Sequence, residues 1–175
     1  MKSSMRRFWE LVVALGIPHS RHTRPRETTC PWDGKVLHGI STDHDTFEFD
    51  LWHEVGHALV ASDAGWKLAG WGQGMVYDGT DGGPLLDHCG VEEDASALGI
   101  WLQMFVGRDP EGALNHADCH SWLEVPCQDN PMRRACWYTH LEGMKLYLRR
   151  RITARLTRAG YANPWDDTQV PPWAV

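Results

Sequence analysis

The chain has 175 residues, 42 % of them hydrophobic, and a net charge of −6, which fits one soluble domain, residues 1–175, around one substantial core. No apolar run approaches the ~20 residues of a membrane span, so a membrane protein is not expected. The cysteines Cys30, Cys89, Cys119, Cys127 and Cys136 form no CxxC pair and leave one over, which argues against a disulfide framework and for a reduced, cytoplasmic setting.

Residues 1–17 place Arg6-Arg7 before Phe8 and the short run Leu11 to Leu15. A secretory signal would need a longer apolar stretch, uninterrupted by Glu10, and a small-residue cleavage site. The segment therefore reads as a short amphipathic helix packed on the domain. Over residues 28–40, Asp33-Gly34 between short extended stretches predicts a small hairpin.

Next comes a helix over about residues 46–64. Thr42, Asp43, Asp45 and Thr46 offer N-cap oxygens, and Phe49, Trp52, Val55, Leu59 and Val60 form an apolar stripe that Gly65 closes. Within it lies His53-Glu54-Val55-Gly56-His57, of the form HExxH. A helix puts residues i and i+4 on one face, so both imidazoles can bind one metal ion while Glu54 serves as general base rather than ligand. The competing reading is a pair of hydrogen-bonded core histidines, but desolvating two imidazoles is costly unless their nitrogens find partners, and a metal satisfies both.

From Trp66 to Asp87 the chain is rich in glycine, with Trp66, Trp71, Met75 and Tyr77 interspersed. A loop of this length is either a lid or binding segment, pinned by its aromatics, or a surface excursion. Residues 91–102 then begin acidic and continue apolar, the pattern of a second helix with carboxylates in its first turn. Glu92 shares a helical face with Ala95, Ser96 and Gly99, small residues that let this helix approach the first closely. Glu92 is thus the expected third ligand, with Glu93 as the fallback; the alternative is an ordinary acidic helix start.

Asp109-Pro110-Glu111 opens a further helix through Trp122. It carries His116 and His120 at i, i+4 spacing, but without an intervening Glu these read as structural or surface residues. The last long element, residues 132–159, repeats Trp137, Leu141, Met144, Leu148, Ile152 and Leu156 as a buried stripe ended by Gly160. Its net charge is +7 against −13 for the rest of the chain, which suits either a solvated face pairing with the acidic remainder or an acidic partner. Residues 161–175, with their prolines and Trp165 and Trp173, are expected to run extended, anchored by the tryptophans. The whole predicts a mainly α fold, with the HExxH helix at its centre and little or no sheet.

The run His53 to Ala61, then Trp71-Gly72-Gln73-Gly74, then Glu92 with Ala97-Leu98 and aromatic residues after it, resembles the elongation factor P hydroxylase family over about residues 45 to 125. That resemblance implies a zincin-like helical fold, one Fe(II) or Zn(II) ion on His53, His57 and Glu92, and hydroxylation of a modified lysine on an elongation factor P-like protein. The family places paired arginines after its metal helix where this chain has Ala64-Gly65-Trp66-Lys67, and an aromatic-rich stretch where this chain has the glycine-rich segment from Gly70 to Gly83. HExxH with Glu92-x-x-Ala95 is also similar to small gluzincin-type zinc metallopeptidases, in which Glu54 would activate water for attack on a carbonyl. Three function classes follow: a metal-dependent hydroxylase, a zinc peptidase, and a metal-stabilised interaction protein without catalysis.

Overall fold

Residues 3–20, 32–39, 45–68, 71, 88–107, 112–113, 141–161 and 163–166 are described by the computed structural model, with the side chains of residues 3–4, 45–50 and 88–92 excepted. Of this part 65 % is helical and 6 % strand, so the described chain is mainly α, as its periodicity predicts. Helix α1 (Ser3–Ala14) buries Phe8, Leu11 and Val12, the i, i+3, i+4 face of an amphipathic helix, while Arg6 and Glu10 stay exposed. The chain leaves α1 through Gly16 at φ 72°, a conformation that costs glycine little because it has no Cβ, and Ile17 N–H donates back to Val12 C=O at 3.0 Å.

The Asp33-Gly34 turn forms as expected. Asp33 Oδ1 accepts the N–H groups of Lys35 and Val36 at 2.8 and 2.7 Å, and Trp32 bridges Leu37 in antiparallel fashion across it. The strand pairing differs from a simple hairpin. Strand β1 (His19–Ser20) runs parallel to β2 (Leu37–His38), with His19 opposite Leu37. Leu37 is fully buried, so it is seated in the core, and the partner available to its edge is the segment leaving α1.

Helix α2 (Asp45–Val60) is the central element. Every residue from 51 to 61 is buried, the signature of a helix surrounded by others, and it meets α1 and the helices over residues 88–105 and 146–158. It stops before the expected residue 64, because the chain turns at Ala61 into a single 3-10 turn, Gly65–Lys67. Helix α3 (His88–Phe105) packs on α2 along a seam of small residues. A Cβ on Gly56 would lie 2.1 Å from Ala95 C=O, and one on Gly99 would lie 3.1 Å from the Trp52 backbone. Glycine at both crossings is what allows the two backbones to touch.

The last long element is not one helix. Residues 141–143 are helical, Met144 and Lys145 are not, and α4 (Leu146–Arg158) starts afresh after Lys145 at ψ 136°. Gly143 sits at the break, where its helix propensity is about 1 kcal/mol worse than that of alanine. The buried stripe survives the interruption: Leu141, Met144, Leu148, Ile152 and Leu156 all face the core. Gly160, at φ 78°, ends α4, and Trp165 anchors the following turn by donating its indole N–H to Leu141 C=O at 2.9 Å. Among the described residues no helix is long and apolar enough to cross a membrane. Of the expected helix from Asp109 through Trp122 only residues 112–113 are described, and they are helical with Ala113 buried; the rest of it, the cysteine side chains and most of the glycine-rich segment lie outside the described residues, as does the tail beyond residue 166.

Candidate metal centre

One turn of α2 separates His53 from His57, and their rings meet edge to face with centroids 4.4 Å apart at 86°. The two Nε2 atoms converge at 2.9 Å. His53, Glu54 and His57 are only 5–7 % exposed, so this is the desolvated pair that the sequence suggested. On its other side His53 Nδ1 lies 3.0 Å from Ser96 Oγ on α3. With Nδ1–H donating to that hydroxyl, Nε2 keeps its lone pair, the tautomer a metal needs. Without an ion, the His57 N–H can donate into the same lone pair.

The separation can be tested against coordination geometry. At metal–nitrogen lengths of about 2.1 Å, two neighbouring octahedral positions are about 3.0 Å apart and two tetrahedral ones about 3.4 Å. The 2.9 Å between the two Nε2 atoms is a hydrogen-bond length and lies at or below both values, so the two nitrogens are close enough to share one ion and the distance selects neither geometry.

Glu54 is tied on one side to the chain beyond α2. Its Oε2 accepts the indole N–H of Trp71 at 2.8 Å. Trp71 stacks on Trp32 at 4.0 Å and 6° and meets Trp66 edge-on. The expectation that aromatics pin the segment after Trp66 is met at Trp71; the lid role concerns residues outside the described set.

Glu92 falls within α3, one turn before Ser96; its side chain lies outside the described residues. Glu93, the fallback, is partly buried. Among the described residues no group of three or more His, Cys, Asp or Glu side chains could hold an ion; two of the three expected ligand residues are brought together and the side chain of the third is not described. His116 and His120 also lie outside the described residues.

Two contributions were not legible as such. By sequence Ser96 is only a small residue, although its place four residues after Glu92 sets it on the same helical face. The second is the basic helix. Arg155 donates to the C=O groups of Ala58, Leu59 and Ala61 at 2.6, 3.0 and 2.8 Å and to Asp63 at 2.8 Å. Arg151 takes Val60 C=O at 2.6 Å, and the Trp66 indole also reaches Ala58 C=O, at 2.8 Å. Ala58, Leu59 and Val60 carry last-turn carbonyls of α2, which the helix itself leaves without donors, and Ala61 follows its end; positive charge is favoured there by the helix dipole. Burial, with Arg151 and Arg158 nearby, draws Arg155 below the usual arginine value against the opposing pull of Asp63. Part of the basic charge is thus turned inward, onto the helix that carries the histidines.

Comparison with protein-family models, with curated proteins and with solved structures finds no match.

Proposed function

We propose that the chain is a metal-dependent enzyme in which His53, His57 and Glu92 hold one ion and Glu54 accepts a proton. The observation that carries this reading is the convergence of two buried imidazole nitrogens at 2.9 Å, with Ser96 on the far side of His53. Such an outer hydrogen bond is the usual companion of a ligating histidine. Fe(II) bound there would supply open positions for dioxygen, whereas Zn(II) would supply a Lewis acid.

The protein's own residues do the rest. Ser96 orients the His53 ring, and α2 keeps His57 in register with it. Glu54, buried and hydrogen-bonded, holds a fixed carboxylate beside the pair to take a proton. Between iron and zinc we favour iron and a hydroxylase-like reaction on a protein side chain. Two things support that choice: the resemblance to the elongation factor P hydroxylase family and the character of the described chain ahead of α2. There the strands are a two-residue parallel pair, not the ladder that would align a peptide for cleavage. The substrate is then an elongation factor P-like protein or another protein of the same kind. The exposed Lys145, Arg150 and Arg158 offer an acidic partner a place to dock, and the odd cysteine count supports a reduced cytoplasmic setting.

Iron- and zinc-loaded protein, prepared separately, should be incubated in air with ascorbate, whose two electrons carry the second oxygen atom of dioxygen to water, together with elongation factor P or a peptide library, and the products weighed by mass spectrometry. The iron form is expected to add one oxygen atom, with zinc inhibiting. Backbone cleavage by the zinc form alone would overturn this reading in favour of the gluzincin-type peptidase. Glu54→Gln should retain metal and fold while abolishing turnover. Full activity in that variant would remove Glu54 from the chemistry, and a protein that binds metal without any turnover would be the interaction protein.

A further inference from the structure

We propose that Trp71 is the positioning residue for the Glu54 carboxylate. The proposal rests on the metal-centre reading and adds to it a residue seventeen positions away that the HExxH motif does not contain.

Trp71 is 1 % exposed and held from several directions. Its ring lies flat on Trp32, 4.0 Å away, and Trp32 is itself tied by its indole N–H to Leu68 C=O at 2.9 Å. The edge of Trp66 closes another side, and Trp66 is tied to Ala58 C=O in α2. The backbone is fixed as well. Trp71 N–H donates to Leu68 C=O at 3.1 Å, and Trp71 C=O sits 2.4 Å from where a Cβ on Gly65 would be.

Within this frame Trp71 adopts φ 60°, the one positive value at a non-glycine among the described residues. Strained backbone of this kind persists only where the surroundings over-determine it, and it concentrates at functional sites. What the strain secures is the direction of the indole. Trp32 and Trp66 spend their indole N–H groups on backbone carbonyls, whereas Trp71 spends its own on a carboxylate oxygen. An indole N–H donates and never accepts, so it bonds only to an oxygen lone pair. It therefore fixes which oxygen of Glu54 faces the aromatic wall and the plane of the carboxylate relative to the histidine pair.

The test has two arms on the full chain. In ¹⁵N-labelled, metal-free protein, Glu54→Gln should move one indole N–H resonance upfield, because a neutral amide oxygen accepts more weakly than a carboxylate. The resonances of Trp32 and Trp66 should hold. In the second arm Trp71→Phe keeps the stacked ring and removes the N–H. Wild type, Trp71→Phe and Glu54→Gln should each bind one equivalent of Co(II), and the visible absorption of Trp71→Phe should move away from wild type toward that of Glu54→Gln. A wild-type cobalt spectrum in Trp71→Phe, or indole resonances that ignore Glu54→Gln, overturns the positioning role while leaving the metal centre intact. No cobalt uptake by wild type overturns the metal centre itself, and the positioning role with it. Should Trp71→Phe fail to fold, the resonance arm decides alone, since it leaves Trp71 in place.

Discussion

Replacing Gly56 by alanine sets two effects against each other in the helix that carries both histidines. Alanine is the better helix former by about 1 kcal/mol, so on propensity alone Gly56→Ala should stabilise the protein. The seam with α3 says otherwise. The new Cβ would lie 2.1, 2.8 and 2.9 Å from Ala95 O, C and Cα, where less than 3.0 Å forces something to shift. The obstacle is backbone, not the tip of a flexible side chain, so α3 must retreat by roughly 0.9 Å along the closest contact to reach that limit. Overpacking of a rigid core costs about 1–3 kcal/mol, occasionally more, and a backbone-to-backbone clash belongs at the upper end. The net expectation is a loss of about 2 kcal/mol, or a fall of about 4–8 °C in Tm for a domain of this size. The same retreat stretches the 3.0 Å bond between Ser96 and His53 beyond hydrogen-bonding range, and losing such an outer contact lowers metal affinity about 10–100-fold. Gly99→Ala is the internal control: its contacts of 3.1–3.2 Å need only a few tenths of an ångström, so propensity and crowding should nearly cancel. Thermal denaturation and competition with a chelator measure both quantities. A Gly56→Ala protein that is more stable than wild type and binds metal as tightly would refute the argument that this glycine sets the spacing of the site.

His57→Ala should reduce bound metal to background and lower thermal stability; elemental analysis showing a full equivalent would remove His57 from the ligand set. Arg155→Met should cost about 3 kcal/mol in urea denaturation, because it strips a charged donor from buried α2 carbonyls, whereas Asp63→Asn should change little because Asp63 is exposed. Near-equal midpoints for these two variants would show that Arg155 acts only through its ion pair. At Asp33 burial acts to raise the carboxyl pKa, but hydrogen bonds from His38, Val36 and Lys35 outweigh it and hold the group below the ordinary aspartate value. A depressed folded pKa means stability that is present at neutral pH and lost as pH falls through the acid range. Asp33→Ala should therefore be less stable than wild type at pH 7, with the difference shrinking towards pH 3; a constant difference would locate the effect elsewhere.

The sequence by itself determined what depends on neighbours in the chain. The i, i+4 spacing of His53 and His57 follows from helical repeat alone, as do the amphipathic face of α1 and the turn at Asp33-Gly34. The small residues Ala95, Ser96 and Gly99 correctly announced a close helix crossing, because only residues without bulk permit one. Other features were settled by contacts between residues far apart in sequence, which no local pattern encodes. The parallel pairing of β1 with β2 depends on where Leu37 is seated. The break at Met144 and Lys145 interrupts a hydrophobic stripe that continues across it, so periodicity could not reveal it. The basic run looked like a solvent-facing or partner-facing surface, yet Arg151 and Arg155 turn inward, since the end of α2 presents carbonyls that nothing in α2 can satisfy. The bond from Trp71 to Glu54 belongs to the same group: a tryptophan in a glycine-rich segment announces an aromatic contact, but only the packed arrangement of Trp32, Trp66 and Gly65 decides where its one N–H points.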